Sequence, residues 1–300
     1  MTTDLKNHDM IEKIKEKFSE MSKGQKLIAN YIINHYDKAA FMTAARLGEI
    51  VGVSESTVVR FAAEMGYDGY PELQKVLQEL IKSKLTAVQR IEVTSKRINE
   101  DNILKSVLQA DMEKIKLTME DIDQASFDKI VDAILNARKI YILGVRSSAP
   151  LASFLGFYFN LIFDNVRLVH TTSVSEMFEQ IMRASPGDVV IGISFPRYSK
   201  RTTKAMQFVK SQGSTVIAIT DSQDSPLASC ADHCIIARSD MASFVDSLVA
   251  PLSVINALIV AIGMKKKESV YNTFERLEAI WDEYQVYEKN DNFEPRRKVD

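Results

Sequence analysis

"DVVIGISFPRYSKRT", residues 188–202, decides the fold. After Asp188 come five residues without a polar side chain, which suits a strand buried on both faces of a parallel sheet. Ser194, Ser199 and Thr202 then stand among Arg197, Lys200 and Arg201, with Pro196 stiffening the turn. No acidic residue lies between Ser194 and Thr202. An amphipathic stretch, Thr202–Gln212, follows with helical spacing. Ligands of open parallel sheets sit where strands turn into helices. Hydroxyls, a guanidinium and a helix N-terminus together are what an anion prefers.

The same grammar recurs outward from this segment. "KIYILG" (139–144), "VRLVH" (166–170), "DVVIGIS" (188–194), "TVIAIT" (215–220) and "HCIIAR" (233–238) are short apolar runs rich in Val and Ile. Helix-length segments separate them: Ala149–Phe163, Val174–Ala184, Thr202–Gln212 and a shorter Ser225–Ala231. The alternation predicts an α/β unit whose five-stranded parallel sheet is covered by helices on both faces. A helix from about Asp246 to Met264 closes it. A final charged helix precedes "NDNFEPRRKVD" (290–300), which reads as a loose end.

A second anion loop, "GVRSSAP" (144–150), follows the first strand and supplies Arg146, Ser147 and Ser148. It is not a dinucleotide fingerprint, because Arg146 stands where a second glycine belongs, and no Walker lysine motif is present. Each serine alone reads most simply as a helix cap or a strand-end hydroxyl. Two basic, hydroxyl-rich loops on one sheet edge favour an anion site.

Up to about residue 135 the periodicity is helical. In "TAARLGEIVGVSESTVVRFAAEMGYDGYPEL" (43–73), Leu47, Ile50 and Val51 form one apolar face, and Gly52 permits a tight turn with Val53 as a buried plug. Ser54 then caps a second helix, in which Val58, Phe61, Ala62 and Met65 make a core stripe and Gly66 ends the helix. Two short helices joined by a Gly turn form a helix-turn-helix, whose second helix enters the DNA major groove. Ser54, Ser56, Thr57 and Arg60 are the candidate DNA contacts, with Arg60 reading guanine or clamping phosphate. The same geometry also occurs in plain helical bundles. Residues 1–85 hold twelve Lys or Arg and twelve Asp or Glu, so DNA binding requires the positive charges to gather on one face. Residues 82–125 contain no Pro or Gly and read as a helical connector.

Bulk composition agrees with about two domains. The chain has 300 residues, 46% hydrophobic and 26% charged, with a formal net charge of -2. It is no polybasic nucleic-acid glue. Cys230 and Cys234 are too few for a disulfide framework, and no second pair joins them and His233 in a zinc site. Buried thiols in a reducing compartment are the reading. The N-terminus lacks the apolar core of a signal peptide, and no apolar stretch reaches a membrane span of about 20 residues. A cytoplasmic protein with no membrane partner is expected.

These residues carry a resemblance. "MSKGQKLIANYIINHYDKAAFMTAARLGEIVGVSESTVVRFAAEMGYDGYPELQ" resembles the head of the RpiR family of bacterial transcription regulators. "KIYILGVRSSAPLA" and "VVIGISFPRYSKRT" resemble the phosphosugar loops of its sugar isomerase (SIS) domain. The resemblance implies a helix-turn-helix domain over 1–82, a connector over 83–125, a SIS domain over 126–265 and a C-terminal helix and tail over 266–300. It implies operator DNA and a sugar phosphate effector as partners, no cofactor, and a homodimer or homotetramer formed through SIS domains. By similarity Ser147 and Ser148 lie in the first phosphate loop, and Ser194 and Ser199 in the second. Arg146, Glu176, Arg197 and Thr202 complete the expected ligand set.

This chain departs from the commoner SIS pattern, Ser-x-Ser-Gly-x-Thr-x-Glu. Pro196 replaces the second serine and Arg197 the glycine; Ser199 stands for the threonine and Arg201 for the glutamate. The loop is therefore more basic and stiffer. An isomerase needs a base near the sugar, for which Glu176 and His170 are the candidates. Glu176 equally suits the first turn of its own helix. A regulator that binds without catalysis is the expectation, with an active phosphosugar isomerase carrying a regulatory head as the alternative.

Overall fold

The computed structural model describes residues 4–84, 86–95, 102–171, 173–239, 241 and 243–288. The tail 290–300 and connector residues 85 and 96–101 lie outside the described residues.

Five helices build the head: α1 (Asp4–Lys17), α2 (Lys23–Ala39), α3 (Ala44–Val51), α4 (Glu55–Glu64) and α5 (Tyr70–Lys84). Side chains at helical spacing converge on one core, including Ile28 and Ile32 of α2, Leu47 of α3, Val58 and Phe61 of α4, and Leu73 and Leu77 of α5. Ser22 and Gln25 form a reciprocal capping box that starts α2. The α5 helix is sewn to the α2–α3 link. Tyr70 Oη donates to the carbonyls of Ala39 and Met42 at 3.2 and 2.9 Å, and Gln74 and Gln78 donate to Met42 and Ala40, each at 2.9 Å. Burial pushes the Tyr70 phenol up to about 12.

The α3–α4 elbow is the expected helix-turn-helix. Gly52 sits in the left-handed region at φ 76°, where a side chain is strained. Val53 differs from expectation, being half-buried against the head core. The close approach there is made by backbone: a Cβ on Gly48 would lie 2.7 Å from the Val53 carbonyl oxygen.

Connector helices α6 (Ala87–Ser95) and α7 (Ile103–Asp121) lead to α8 (Gln124–Leu135) and the sheet. Strands β1 (Lys139–Gly144), β2 (Val166–Val169), β3 (Asp188–Ile193), β4 (Thr215–Thr220) and β5 (His233–Ile236) pair in parallel in the order β2-β1-β3-β4-β5. Between them run α9 (Ala149–Ile162), α10 (Val174–Ile181) and α11 (Lys200–Ser211), followed by α12 (Val249–Lys265) and α13 (Lys267–Glu283). Alternate strand residues serve two cores. Ile140, Ile142 and Ile191 pack under α8, α9 and α12, while Tyr141, Leu143 and Val190 pack under α10 and α11.

At the base of the sheet, Arg138 clasps the fully buried Asp188 through two bonds of 2.9 Å, and Ser185 N–H adds a third at 3.0 Å. The helix expected over Ser225–Ala231 is only a 3-10 turn, Ala228–Cys230. Its seven residues are too few, since Ser225 caps the turn and Asp232 is already bonded to Val216 at the start of β5. Helix α10, expected to reach Ala184, stops at Ile181, and the helix expected from Asp246 begins at Val249. No single described helix is long and apolar enough to cross a membrane.

Candidate functional site

The sheet order fixes where a ligand sits. From β1 the chain moves outward to β2, then returns to β3 on the other side of β1. The two crossovers therefore part between β1 and β3, and a crevice opens beyond their C-terminal ends. The two hydroxyl-rich loops leave these same strands. They meet in a cleft of about 1470 Å³.

The β1 loop is held tightly over its strand. A Cβ on Gly144 would lie 2.7 Å from the Ser148 carbonyl oxygen, so this glycine permits the close approach. Arg146 has φ 54°, a left-handed conformation uncommon for a residue with a side chain, and it opens a 3-10 turn through Ser148. Ser148 is buried and precedes α9, whose first turn accommodates Pro150 because that N–H has no helical partner anyway.

The β3 loop is a small hydrogen-bonded frame. Buried Ser194 accepts the Ser199 N–H on its Oγ at 3.2 Å. Ser199 caps α11 by accepting the Thr202 N–H at 3.3 Å. Tyr198 Oη donates to Asp221 Oδ1 at 2.9 Å, tying the loop to the end of β4. Each serine thus spends acceptor capacity on the loop, and its O–H proton remains to be donated, which suits an anion.

The cleft wall carries Arg146, Ser147, Ser148, Ser194, Arg197 and Ser199, so six of the eight residues expected to bind ligand are brought together. Thr202 is fully buried and not on the wall, because the third position of α11 points inward with Ala205 and Met206. Thr203 lines the cleft instead. Glu176 is also off the wall; it is exposed in the first turn of α10 and accepts a bond from Thr171, which does face the cleft. His170 is exposed, and its carbonyl accepts from Gln180 at 3.4 Å.

Other wall residues went unnoticed in the sequence. Lys204 and Gln207 share one α11 face with Lys200, so helical spacing from Lys200 would have found them. Arg90 and the loop residues Phe244, Val245, Asp246 and Leu248 carry no such signal. Among the described residues lining the cleft, six cations (Arg90, Arg146, Arg197, Lys200, Arg201 and Lys204) face one carboxylate, Asp246. Cys230 and Cys234 lie outside it; burial raises both thiols, Cys234 to about 11, which keeps them protonated and unreactive.

In the head, the candidate DNA residues cluster at the start of α4. Ser54 Oγ lies 2.9 Å from Ser56 Oγ and 2.8 Å from Thr57 Oγ1, and accepts the Thr57 N–H at 3.3 Å. Ser54, Ser56 and Arg60 are exposed; Thr57 is half-buried, its methyl facing α2 near Gly24.

Comparison with known proteins agrees with both halves. Residues 8–84 match the helix-turn-helix domain of the rpiR family, and residues 133–261 match the SIS domain. An uncharacterized HTH-type transcriptional regulator of Caldanaerobacter subterraneus is 25% identical over 280 residues, covering 91% of this chain and 96% of its own. The HTH-type transcriptional regulator HexR of Escherichia coli K12 is 28% identical over 225 residues, 73% of this chain and 74% of its own. Among solved structures, Vibrio vulnificus NanR, complexed with ManNAc-6P, aligns over 90% of this chain and 98% of its own, with a TM-score of 0.56 and 21% identity. The sugar isomerase domain of an RpiR transcription factor from Sphaerobacter thermophilus covers 58% of this chain and 97% of its own, with a TM-score of 0.55 and 25% identity. The chain belongs to the RpiR family of helix-turn-helix transcription regulators, with a SIS domain behind its DNA-binding head.

Proposed function

We propose that this regulator's operator affinity is set by a sugar phosphate held in the cleft between β1 and β3. The observation that carries the reading is the convergence of two hydroxyl-bearing loops and five basic residues from the SIS domain at the switch point of the sheet. Ser147, Ser148, Ser194 and Ser199 donate hydroxyl hydrogen bonds to the phosphate, and Arg146 and Arg197 supply its counter-charge. The sugar extends toward Lys204 and Gln207, about one and two turns along α11. In the head, Ser54, Ser56, Thr57 and Arg60 are the DNA-contacting set, placed at the N-terminus of the second helix as groove-reading residues are.

Binding without turnover is the reading for the cleft. Proton transfer between C1 and C2 of a sugar needs a base within hydrogen-bond reach. Neither Glu176 nor His170 lines the cleft, and the carboxylate that does, Asp246, is engaged with Arg90 at 2.6 Å. The protein acts in the cytoplasm, where operator and sugar phosphates are found. We infer also that copies pair. Leu104, Leu108, Met112, Ile115 and Met119 recur every three or four residues along α7 and are exposed in the single chain, an apolar stripe that a second copy would cover.

The test is thermal unfolding against matched sugars and sugar phosphates. A ligand at 100 times its dissociation constant stabilises a fold by about 2.7 kcal/mol. A shift with a phosphorylated sugar and none with its bare counterpart is the expected result. No shift with any member removes the sugar-phosphate assignment.

A further inference from the structure

One wall of the cleft does not come from the SIS loops. Arg90 belongs to connector helix α6, yet its side chain, 2% exposed, lines the cleft. Its Nη1 lies 2.6 Å from Oδ1 of Asp246, a carboxylate 14% exposed. Asp246 sits between β5 and α12, and its neighbours Phe244, Val245 and Leu248 line the same cleft. Further back along that stretch, Met241 packs against the apolar core of the head. Ser247 donates to Asp111 of α7 at 2.5 Å. A few residues of chain thus touch the cleft, the connector and the DNA-binding head together.

A buried guanidinium requires a counter-charge, because an uncompensated charge away from water is strongly unfavourable. Asp246 supplies it. An anion entering the cleft is a second counter-charge for the same group, and two negative groups at one guanidinium repel each other where water is scarce. The sequence gives no hint of this pairing, since its partners are 156 positions apart.

We propose that Arg90 is an effector-binding residue supplied by the connector, and that its ion pair with Asp246 is the latch through which a bound anion acts on the head. The anion takes over Arg90, Asp246 is displaced, and the stretch 243–248 loosens its hold on α6 and, through Met241, on the head core. This latch rests on the sugar-phosphate reading of the cleft.

Amide hydrogen exchange on the full chain tests it. The probe is whichever of a panel of pentose 5-phosphates and hexose 6-phosphates raises the melting temperature most. At saturation, amides of 87–95 and 243–248 exchange roughly tenfold faster while those of 144–148 and 194–199 slow down, as expected when local opening is eased at one place and hindered at another. In Asp246→Asn the first two segments exchange fast without probe and do not change when it is added. If the loops slow but 87–95 and 243–248 are unchanged or slowed in the wild-type chain, the latch is wrong and the anion site stands. If no probe shifts the melting temperature, both readings fail together. The wild-type comparison needs no variant, so poor folding of Asp246→Asn does not blunt it.

Discussion

Arg146 combines two features that a pair of substitutions separates: a guanidinium facing the cleft and a backbone at φ 54°. A left-handed conformation costs a residue with a Cβ roughly 1–2 kcal/mol. Arg146→Gly removes that strain but adds back about 0.5–1 kcal/mol of unfolded-chain entropy. The net gain is about 0.5–1 kcal/mol, or roughly 1–4 °C in the melting of a domain of this size. Arg146→Ala keeps the strain and gains nothing. Both variants lose one charge-assisted hydrogen bond to the anion, worth about 1.5–3 kcal/mol. Effector affinity therefore falls roughly ten- to hundredfold, and equally in the two. Calorimetric titration and thermal melting of the same preparations measure both effects. Equal melting of the Gly and Ala variants refutes the strain argument; wild-type affinity in either refutes the role of the guanidinium.

Three further outcomes follow from the head and the SIS domain. Arg60→Ala weakens operator binding and lowers the salt slope by about one unit, while effector affinity measured by calorimetry stays unchanged. Gly48→Ala drives a Cβ toward the Val53 carbonyl and destabilises the head by about 1–2 kcal/mol in denaturant unfolding, despite alanine's better helix propensity. Asp123 caps α8 by accepting the Ser126 N–H at 3.0 Å, and hydrogen bonds from the Ser126 side chain and backbone hold its carboxyl below the usual range. Its stabilising contribution is therefore full above the unfolded carboxylate value of about 4 and lost as pH falls through the lower folded value. Acid unfolding of Asp123→Asn should show a shallower loss over that window, and an identical acid limb would contradict the assignment.

The sheet was legible because burial on both faces leaves a mark on every strand. Runs such as Tyr141–Ile142–Leu143 and Val189–Val190–Ile191 have no polar position to hide. That the two loops share a cleft was legible because hydroxyls, arginines and a helix start fall within a few residues of one another at the ends of neighbouring strands. Thr202 was misplaced because sequence proximity to Ser199 says nothing of which way the third residue of a helix points. Glu176 and Thr171 show the same limit: the carboxylate that stands out in the sequence lies behind the hydroxyl that faces the cleft. Arg90 and Asp246 were invisible, since a single buried ion pair between distant segments has no period and no motif. Gly48 was readable in principle, as a glycine inside a helix asks for a reason, here the backbone of the turn against it.

Operator binding, followed by fluorescence anisotropy on a fragment selected from genomic DNA, tests the central claim most directly. The titration is run with and without the sugar phosphate that shifts melting most, in the wild-type chain and in Ser148→Ala. Coupling between two such sites amounts to about 1–3 kcal/mol, so operator affinity should change roughly 5- to 150-fold in the wild type and far less in the variant. An operator affinity that stays the same while melting proves the cleft occupied would contradict the account.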